Sequence, residues 1–182
     1  MAKKTEKAPE MNESMAAPEP EEVEESAADG GTPFATDFNV ENEYKPTPLV
    51  PNGRYNGFVT NVHFEPADST LVWDITLTAD SDVLMSDNDS PVNGVVMQYK
   101  NWFPKAGDEV TRTKTGKMTK RQAKINMISD FQKKMGINMN TPEAIMAGVN
   151  NAEWVGIEVI AVIEIREYEG RLSNQIKEMF AA

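Results

Sequence analysis

The sequence predicts a mainly β domain of five strands, with a helical segment between the third and fourth strands and an acidic arm before the first. Three observations support this fold class. Apolar and polar residues alternate over Thr70–Thr78, which is the clearest strand pattern of the chain. Apolar residues recur at helical spacing over 119–136. The stretch Trp154–Phe180 has the pattern of two strands joined by a turn at Glu169-Gly170.

The acidic arm is predicted from the distribution of charge. The chain has 182 residues and a formal net charge of −11, and residues 1–45 contain four lysines against twelve acidic residues. This segment is rich in Glu, Ala and Pro, so it cannot bury enough apolar surface to offset the entropy lost on ordering. We therefore expect residues 1–45 to be a disordered acidic arm and residues 46–182 to fold as one domain.

The first three strands are predicted from β-forming residues and from the turn and loop residues that separate them. Gly53–Phe64 is rich in β-forming residues and is followed by Pro66. In the second strand, alternation places Trp73 on the apolar face with Leu71, and so in the core. An aspartate-rich loop then leads to a third strand over 94–103.

The helical segment has recognisable start and stop signals. Thr119 is a suitable N-cap and Gly136 a suitable stop for one amphipathic helix, and Thr141-Pro142 starts a second, shorter helix. The hairpin of residues 154–180 supplies the last two strands. The predicted order is therefore three strands, a helical insertion and two strands. This is the element order of a five-stranded OB-type barrel with its helix between strands 3 and 4.

Four segments resemble a known family. They are Pro51–Tyr55, Lys133–Ile137, Trp154–Val159 and Tyr168–Ile176. Together they resemble bacteriophage single-stranded DNA-binding proteins of OB-fold type, over roughly residues 46–180. The resemblance implies binding and protection of single-stranded DNA in phage DNA replication or recombination. Many such proteins recruit partners through an acidic C-terminal tail, whereas here the acidic segment is N-terminal, so the arm could contact replication or recombination proteins instead.

The candidate nucleic-acid contacts are mostly basic residues. Residues 100–134 contain ten basic and three acidic residues, a net charge of +7 within an acidic protein. Such a run could follow a phosphate backbone, although most charge runs are simply solvated faces. The predicted contacts are Lys100, Trp102, Lys105, Arg112, Lys114, Lys117, Lys120, Arg121, Lys124, Arg166, Tyr168 and Arg171.

Two aromatic residues in this set have alternative interpretations. In the predicted third strand, Trp102 lies on the same face as Lys100 and opposite the apolar residues. It should therefore point outward and stack on a base. It could instead close one end of the barrel as a core residue. Tyr168 lies at the last hairpin turn beside Arg166 and Arg171, where OB folds often contact oligonucleotides, but it could also pack across the turn.

The composition leaves little room for catalysis. The chain has no cysteine and one histidine, His63, which excludes disulfides, thiolate metal sites and cysteine nucleophiles. Lys114–Thr119 lacks the glycine pattern of a P-loop, and Asp87-Asn88-Asp89 lacks the later ligands of a calcium loop. We expect no enzyme activity, no cofactor and no metal site. No signal-peptide or membrane-spanning run is apparent, so we expect a cytoplasmic protein.

Two other functions remain open at this point. The net charge also fits an acidic interaction protein, or a mimic of DNA charge that binds a host or phage DNA-processing enzyme. Such a mimic needs its acids in an array on the folded domain, whereas most of the excess lies in the arm. A virion structural component is a third possibility, without specific support in the sequence.

Overall fold

A computed structural model describes residues 39–182, so most of the predicted arm lies outside the described residues. The chain divides into two units, 1–45 and 46–182. In the first unit, Val40–Glu43 forms a single helical turn, α1. Asn39 caps it, because its side chain accepts hydrogen bonds from the N–H groups of Glu41 and Asn42. A helical turn therefore stands where the sequence predicted only disorder.

The second unit is mainly β, as predicted. Its elements, in chain order, are β1 (Gly53–Glu65), β2 (Thr70–Thr78), β3 (Val96–Trp102), α2 (Lys120–Met135), α3 (Pro142–Asn150), β4 (Glu158–Tyr168) and β5 (Arg171–Ala181). The strands form one antiparallel sheet in the order β3-β2-β1-β4-β5. The sheet is not closed: its edge strands β3 and β5 approach each other without pairing. No helix within residues 39–182 has the length and apolarity needed to cross a membrane.

Aromatic packing around Trp73 builds the core. Trp73 is fully buried, as its strand parity predicted. Its ring stacks on Trp154 at a centroid distance of 5.1 Å, and Phe131 of α2 meets its edge at 5.2 Å. The indole N–H donates a 2.7 Å hydrogen bond to the buried Asn101 side chain. These contacts hold α2 against the inner face of the sheet and satisfy the polar atom that burial would otherwise leave unpaired.

A β-bulge changes the alternation of β1. Val59 pairs with Ile75 and Asn61 with Asp74, so Thr60 is an extra residue in the ladder. Val59 faces the core before the bulge and Val62 faces it afterwards. This shift explains why the first strand shows no simple alternating pattern in the sequence.

Some element boundaries differ from those the sequence indicated. The predicted third strand began at 94, but Gly94 has a φ of +86°, which only glycine adopts readily, and β3 starts at Val96. The fourth strand starts at Glu158 rather than Trp154. Trp154 is buried beneath α3, and Gly156, with a φ of +86°, turns the chain before the strand. Helix α2 begins after Thr119 and ends at Gly136, as predicted.

We predict that Gly148→Ala destabilises the domain. A Cβ at Gly148 would lie 2.7 Å from Cε2 of Trp154, which itself packs against Trp73 and cannot move away freely. Overpacking of this kind costs about 1–3 kcal/mol, more than the gain of about 1 kcal/mol from helix propensity. Urea denaturation followed by circular dichroism measures the change in the free energy of unfolding.

The neighbouring exposed position provides the control. Ala147→Gly in the same helix changes helix propensity without touching Trp154, and should cost about 1 kcal/mol. A Gly148→Ala protein as stable as the wild type, or more stable, would contradict the close packing described here.

Candidate nucleic-acid interface

The face of β1, β2 and β3 that points away from the core is here called the outer face, and no helix of residues 46–182 covers it. Strand pairing aligns its side chains in rows across the three strands. Trp102, Thr70 and Glu65 form the row at one end, and Gln98, Asp74 and Asn61 form a row in the middle. Lys100, Val72 and His63 lie between these two rows, and Val96, Thr76 and Phe58 form the row at the other end.

Trp102 is exposed on this face. Its relative exposure is 47%, whereas Trp73 and Trp154 are buried. The alternative that Trp102 closes the barrel as a core residue is therefore wrong. Lys100 is its neighbour on the same face and pairs with Glu65 at 3.6 Å. Phe58, 37% exposed, and Val96, 59% exposed, add apolar surface at the other end of the face.

The middle row is a connected polar network. Asn61 Nδ2 donates to one carboxylate oxygen of Asp74 at 2.9 Å, and Gln98 Nε2 donates to the other at 3.0 Å. The His63 ring nitrogen Nδ1 lies 3.3 Å from Asn61 Nδ2. Because a carboxylate only accepts, both amides must turn their NH₂ groups toward Asp74. The network therefore fixes the orientation of all three side chains.

The loop that follows β3 is fastened to the Trp102 end of the sheet. Phe103 donates its backbone N–H to the Ser69 carbonyl at 2.8 Å. Lys105 Nζ donates to the Ala67 carbonyl at 3.2 Å and lies 4.0 Å from Asp68. Both contacts join the loop to the turn between β1 and β2, so the loop begins at a fixed position beside Trp102.

Lys124 joins the same loop to α2. Its ammonium group donates to the Asp108 carboxylate at 2.8 Å and to the Phe103 carbonyl at 3.0 Å. Lys124 is partly buried in this position. The hydrogen bond from Lys124, with a second from the backbone N–H of Lys105, lowers the pKa of Asp108 below its usual value of 3.8. Lys124 was predicted to contact phosphate, but its charge is already neutralised by this pair.

Five cations project from the rest of the loop and the start of α2. They are Arg112, Lys114, Lys117, Lys120 and Arg121, all exposed. None of them takes part in the ion pairs found within residues 39–182. The loop tip is a tight turn, in which Thr113 N–H donates to the Met118 carbonyl and Arg112 to the Gly116 carbonyl. Hydrogen bonds therefore hold the backbone of the loop tip, which carries Arg112, Lys114 and Lys117, in one conformation.

The first turn of α2 is electrostatically unfavourable in isolation. Lys120 and Arg121 occupy it, and it contains no acidic residue. Partial positive charge at a helix N-terminus normally favours acids there and disfavours cations. Asp108 lies near this end of the helix, since its pKa is lowered mainly by the hydrogen bond from Lys124 and also by the charge of Lys120.

The predicted contacts in the last hairpin lie apart from this region. Tyr168 pairs with Arg171 at the turn of β4 and β5, and its side chain is 72% exposed, so it does not pack across the turn. Arg166 is paired with Glu164 at 2.7 Å. This turn extends beyond the Gly53 end of β1, while Trp102 lies level with the opposite end. The twelve predicted contacts therefore do not form one cluster.

Sequence reasoning missed several side chains of the outer face, namely the exposed Phe58, Asn61, His63 and Gln98 and the half-buried Asp74. Part of the signal was available, since alternation placed Asp74 opposite Trp73 and Gln98 on the side of Trp102. The two strands could not be aligned without their register. Phe58 and Asn61 were hidden further by the bulge at Thr60, which changes parity between them.

No protein-family model matches this chain, and no curated protein is similar enough in sequence to count as a relative.

We predict that the Lys124–Asp108 contact makes stability depend on acid pH. Because the folded-state pKa of Asp108 is lowered, ionised Asp108 stabilises the native state fully above about pH 4, and this contribution is lost as the pH falls through the folded-state pKa. Asp108→Asn should therefore lower the Tm at pH 7 and have progressively less effect toward pH 3. Thermal melts across this range measure the difference from wild type.

Asp130→Asn is the matched control, since Asp130 is exposed on α2 and the substitution changes the charge equally. Its Tm difference from wild type should show no comparable decrease with acid. A constant Tm difference for Asp108→Asn between pH 7 and pH 3 would contradict the role of the ion pair.

Proposed function

We propose that residues 46–182 form an OB-type domain that binds single-stranded DNA with little dependence on sequence. In this proposal bases lie on the outer face and stack on Trp102, and phosphates contact the cations of the loop and of the α2 N-terminus. The biological setting implied by the family resemblance is phage DNA replication or recombination, within the host cytoplasm.

The observation that carries this proposal is the exposed indole of Trp102. Tryptophan is the largest apolar side chain, and here about half of its surface meets solvent beside Lys100 at the end of a strand. An exposed aromatic ring next to a cation is the arrangement that stacks bases in single-strand-binding proteins. Stacking of one base contributes about 1–3 kcal/mol.

The basic loop supports phosphate binding. Arg112, Lys114 and Lys117 of this loop form no ion pair within the described residues, although the protein as a whole is acidic. The contacts of Lys105 and Lys124 hold the loop beside the Trp102 end of the face. Neutralisation of phosphates by such cations releases counterions, so affinity should fall steeply as the salt concentration rises.

The element order supports the OB-type assignment. Two helices lie between β3 and β4 in the chain, and β1 is central in the sheet, pairing with both β2 and β4. In OB folds the face of strands 2 and 3 contacts oligonucleotides, together with the loops that join strands 1 and 2 and strands 4 and 5. Non-enzymatic binding remains part of the proposal.

The alternative of a DNA-charge mimic is supported less well by the folded domain. A mimic needs its acids in an array on the folded domain, whereas residues 46–182 have seventeen acidic against fourteen basic residues and most of the acidic excess lies in residues 1–45. On the face itself, Asp74 accepts hydrogen bonds from two amides. Single-stranded DNA binding is therefore the function we favour.

Substitution of Trp102 provides the first test of this function. Fluorescence anisotropy with a labelled single-stranded oligonucleotide at low salt should show binding by the wild type. Loss of one stacked base in Trp102→Ala should raise Kd between about fivefold and about a hundredfold. Trp102→Phe retains an aromatic face and should fall between the two.

Met127→Ala is the control, because Met127 is also a large exposed apolar residue but lies on α2 rather than on the sheet. Its Kd should match that of the wild type. Absence of binding by the wild-type protein at low salt would refute the proposed function, and an unchanged Kd for Trp102→Ala would remove Trp102 from the interface.

Substitution of two loop lysines tests the phosphate contacts. For Lys114→Gln/Lys117→Gln we expect weaker binding and a smaller slope of log K against log salt concentration, by about 1.4 if each lysine neutralises one phosphate. Lys133→Gln, exposed at the far end of α2, serves as the control for lost charge and should keep the wild-type slope. Equal slopes for all three proteins would place the phosphates elsewhere.

A further inference from the structure

The middle row of the outer face presents mainly hydrogen-bond acceptors. Both carboxylate oxygens of Asp74 already accept one bond from an amide, and each retains a further lone pair. The amides use N–H groups to reach Asp74, so the carbonyl oxygens of Asn61 and Gln98 are directed elsewhere. Within residues 39–182 neither of these two oxygens accepts a hydrogen bond.

The donors left in this row are few. Asn61 has one N–H directed to Asp74 and the other near His63 Nδ1. Gln98 has one N–H directed to Asp74 and one unused within the described residues. A group that meets this row therefore encounters a carboxylate and two amide oxygens, against one free amide N–H.

Nucleobases differ in what they would offer to such a row. Cytosine carries an amino group at the position where thymine carries a carbonyl oxygen, and adenine also carries an amino group. Aspartate and glutamate accept from the cytosine amino group, and a glutamine can bond adenine through its carbonyl oxygen and its N–H together. Thymine offers a single N3–H between two carbonyl oxygens, and its O4 would face the Asp74 carboxylate where cytosine presents its amino group.

The location of the row allows a base to reach it while another stacks on Trp102. Gln98 and Trp102 lie on the same side of β3 four residues apart, which is about 13 Å along a strand. The rows are in register across all three strands. Between the Gln98 row and the Trp102 row, β1 and β2 contribute only His63 and Val72 to this face. A strand lying along β3 would thus pass both features.

We propose that Asp74, Asn61 and Gln98 form a base-selecting row that favours cytosine and adenine, which carry an exocyclic amino group, over thymine, which carries none. This inference rests on the proposed function, because it requires single-stranded DNA on the outer face. It adds a modest preference to binding that is otherwise sequence-tolerant.

Oligo-dC and oligo-dT of equal length provide the test at neutral pH, since both are pyrimidine strands. Anisotropy competition with the full-length protein should show about tenfold tighter binding of oligo-dC, the discrimination expected for one well-placed base contact. In Asp74→Asn, which keeps the shape of the side chain but replaces one acceptor by an NH₂ donor, the two Kd values should come within about twofold of each other.

Asp130→Asn is again the control for charge. Removal of one negative charge strengthens binding to both strands alike, so the ratio of the two Kd values is the readout and should remain as in the wild type. Thermal melting of Asp74→Asn verifies that the variant is folded, and the wild-type ratio tests the inference independently of any variant.

The outcomes separate the two proposals. Binding of both strands with equal Kd by the wild type, or an unchanged preference in folded Asp74→Asn, overturns the base-selecting row and leaves the proposed function standing. Failure of the wild type to bind either strand overturns both.

Discussion

The stacking of Trp73 against Trp154, with Phe131 at its edge, determines how the rest of the domain is arranged. It joins the second strand, the segment before the fourth strand and helix α2 in one buried contact. Because α2 is held on the inner side by this contact, neither helix of residues 120–150 covers the opposite side of β1, β2 and β3. The hydrogen bond from the Trp73 indole to Asn101 fixes the ring in that position and brings the end of β3 into the same arrangement.

The basic residues of the domain differ in whether they are paired with a carboxylate. The lysines closest to the sheet, Lys100, Lys105 and Lys124, are each within reach of a carboxylate and mainly position the strand end and the loop. The cations further along the loop and at the start of α2 have no such partners in the described residues. An acidic chain can in this way present a local positive surface, because these cations are close together in the chain and are not paired with its carboxylates.

Much of the architecture was predictable from residue patterns, and the failures have identifiable causes. Alternation over Thr70–Thr78 placed Trp73 inside, and the same reasoning on β3 placed Trp102 outside. Cap residues located α2 because they act locally. The bulge at Thr60, in contrast, depends on pairing between strands, and the role of Lys124 depends on a carboxylate sixteen residues away. Neither could be read from local sequence, and the register that assembles the Asn61–Asp74–Gln98 row is likewise a property of the folded sheet.

The three indole rings differ in their surroundings in a way that has a practical consequence. Trp73 and Trp154 are shielded in the interior, and Trp102 alone meets water. Excitation of the protein's own fluorescence thus reports two environments at once, a blue-shifted emission from the interior pair and a red-shifted emission from the surface ring that a soluble quencher can reach. Loss of the shielded signal would report unfolding, and changes confined to the accessible signal would report events at the sheet surface, without any attached dye.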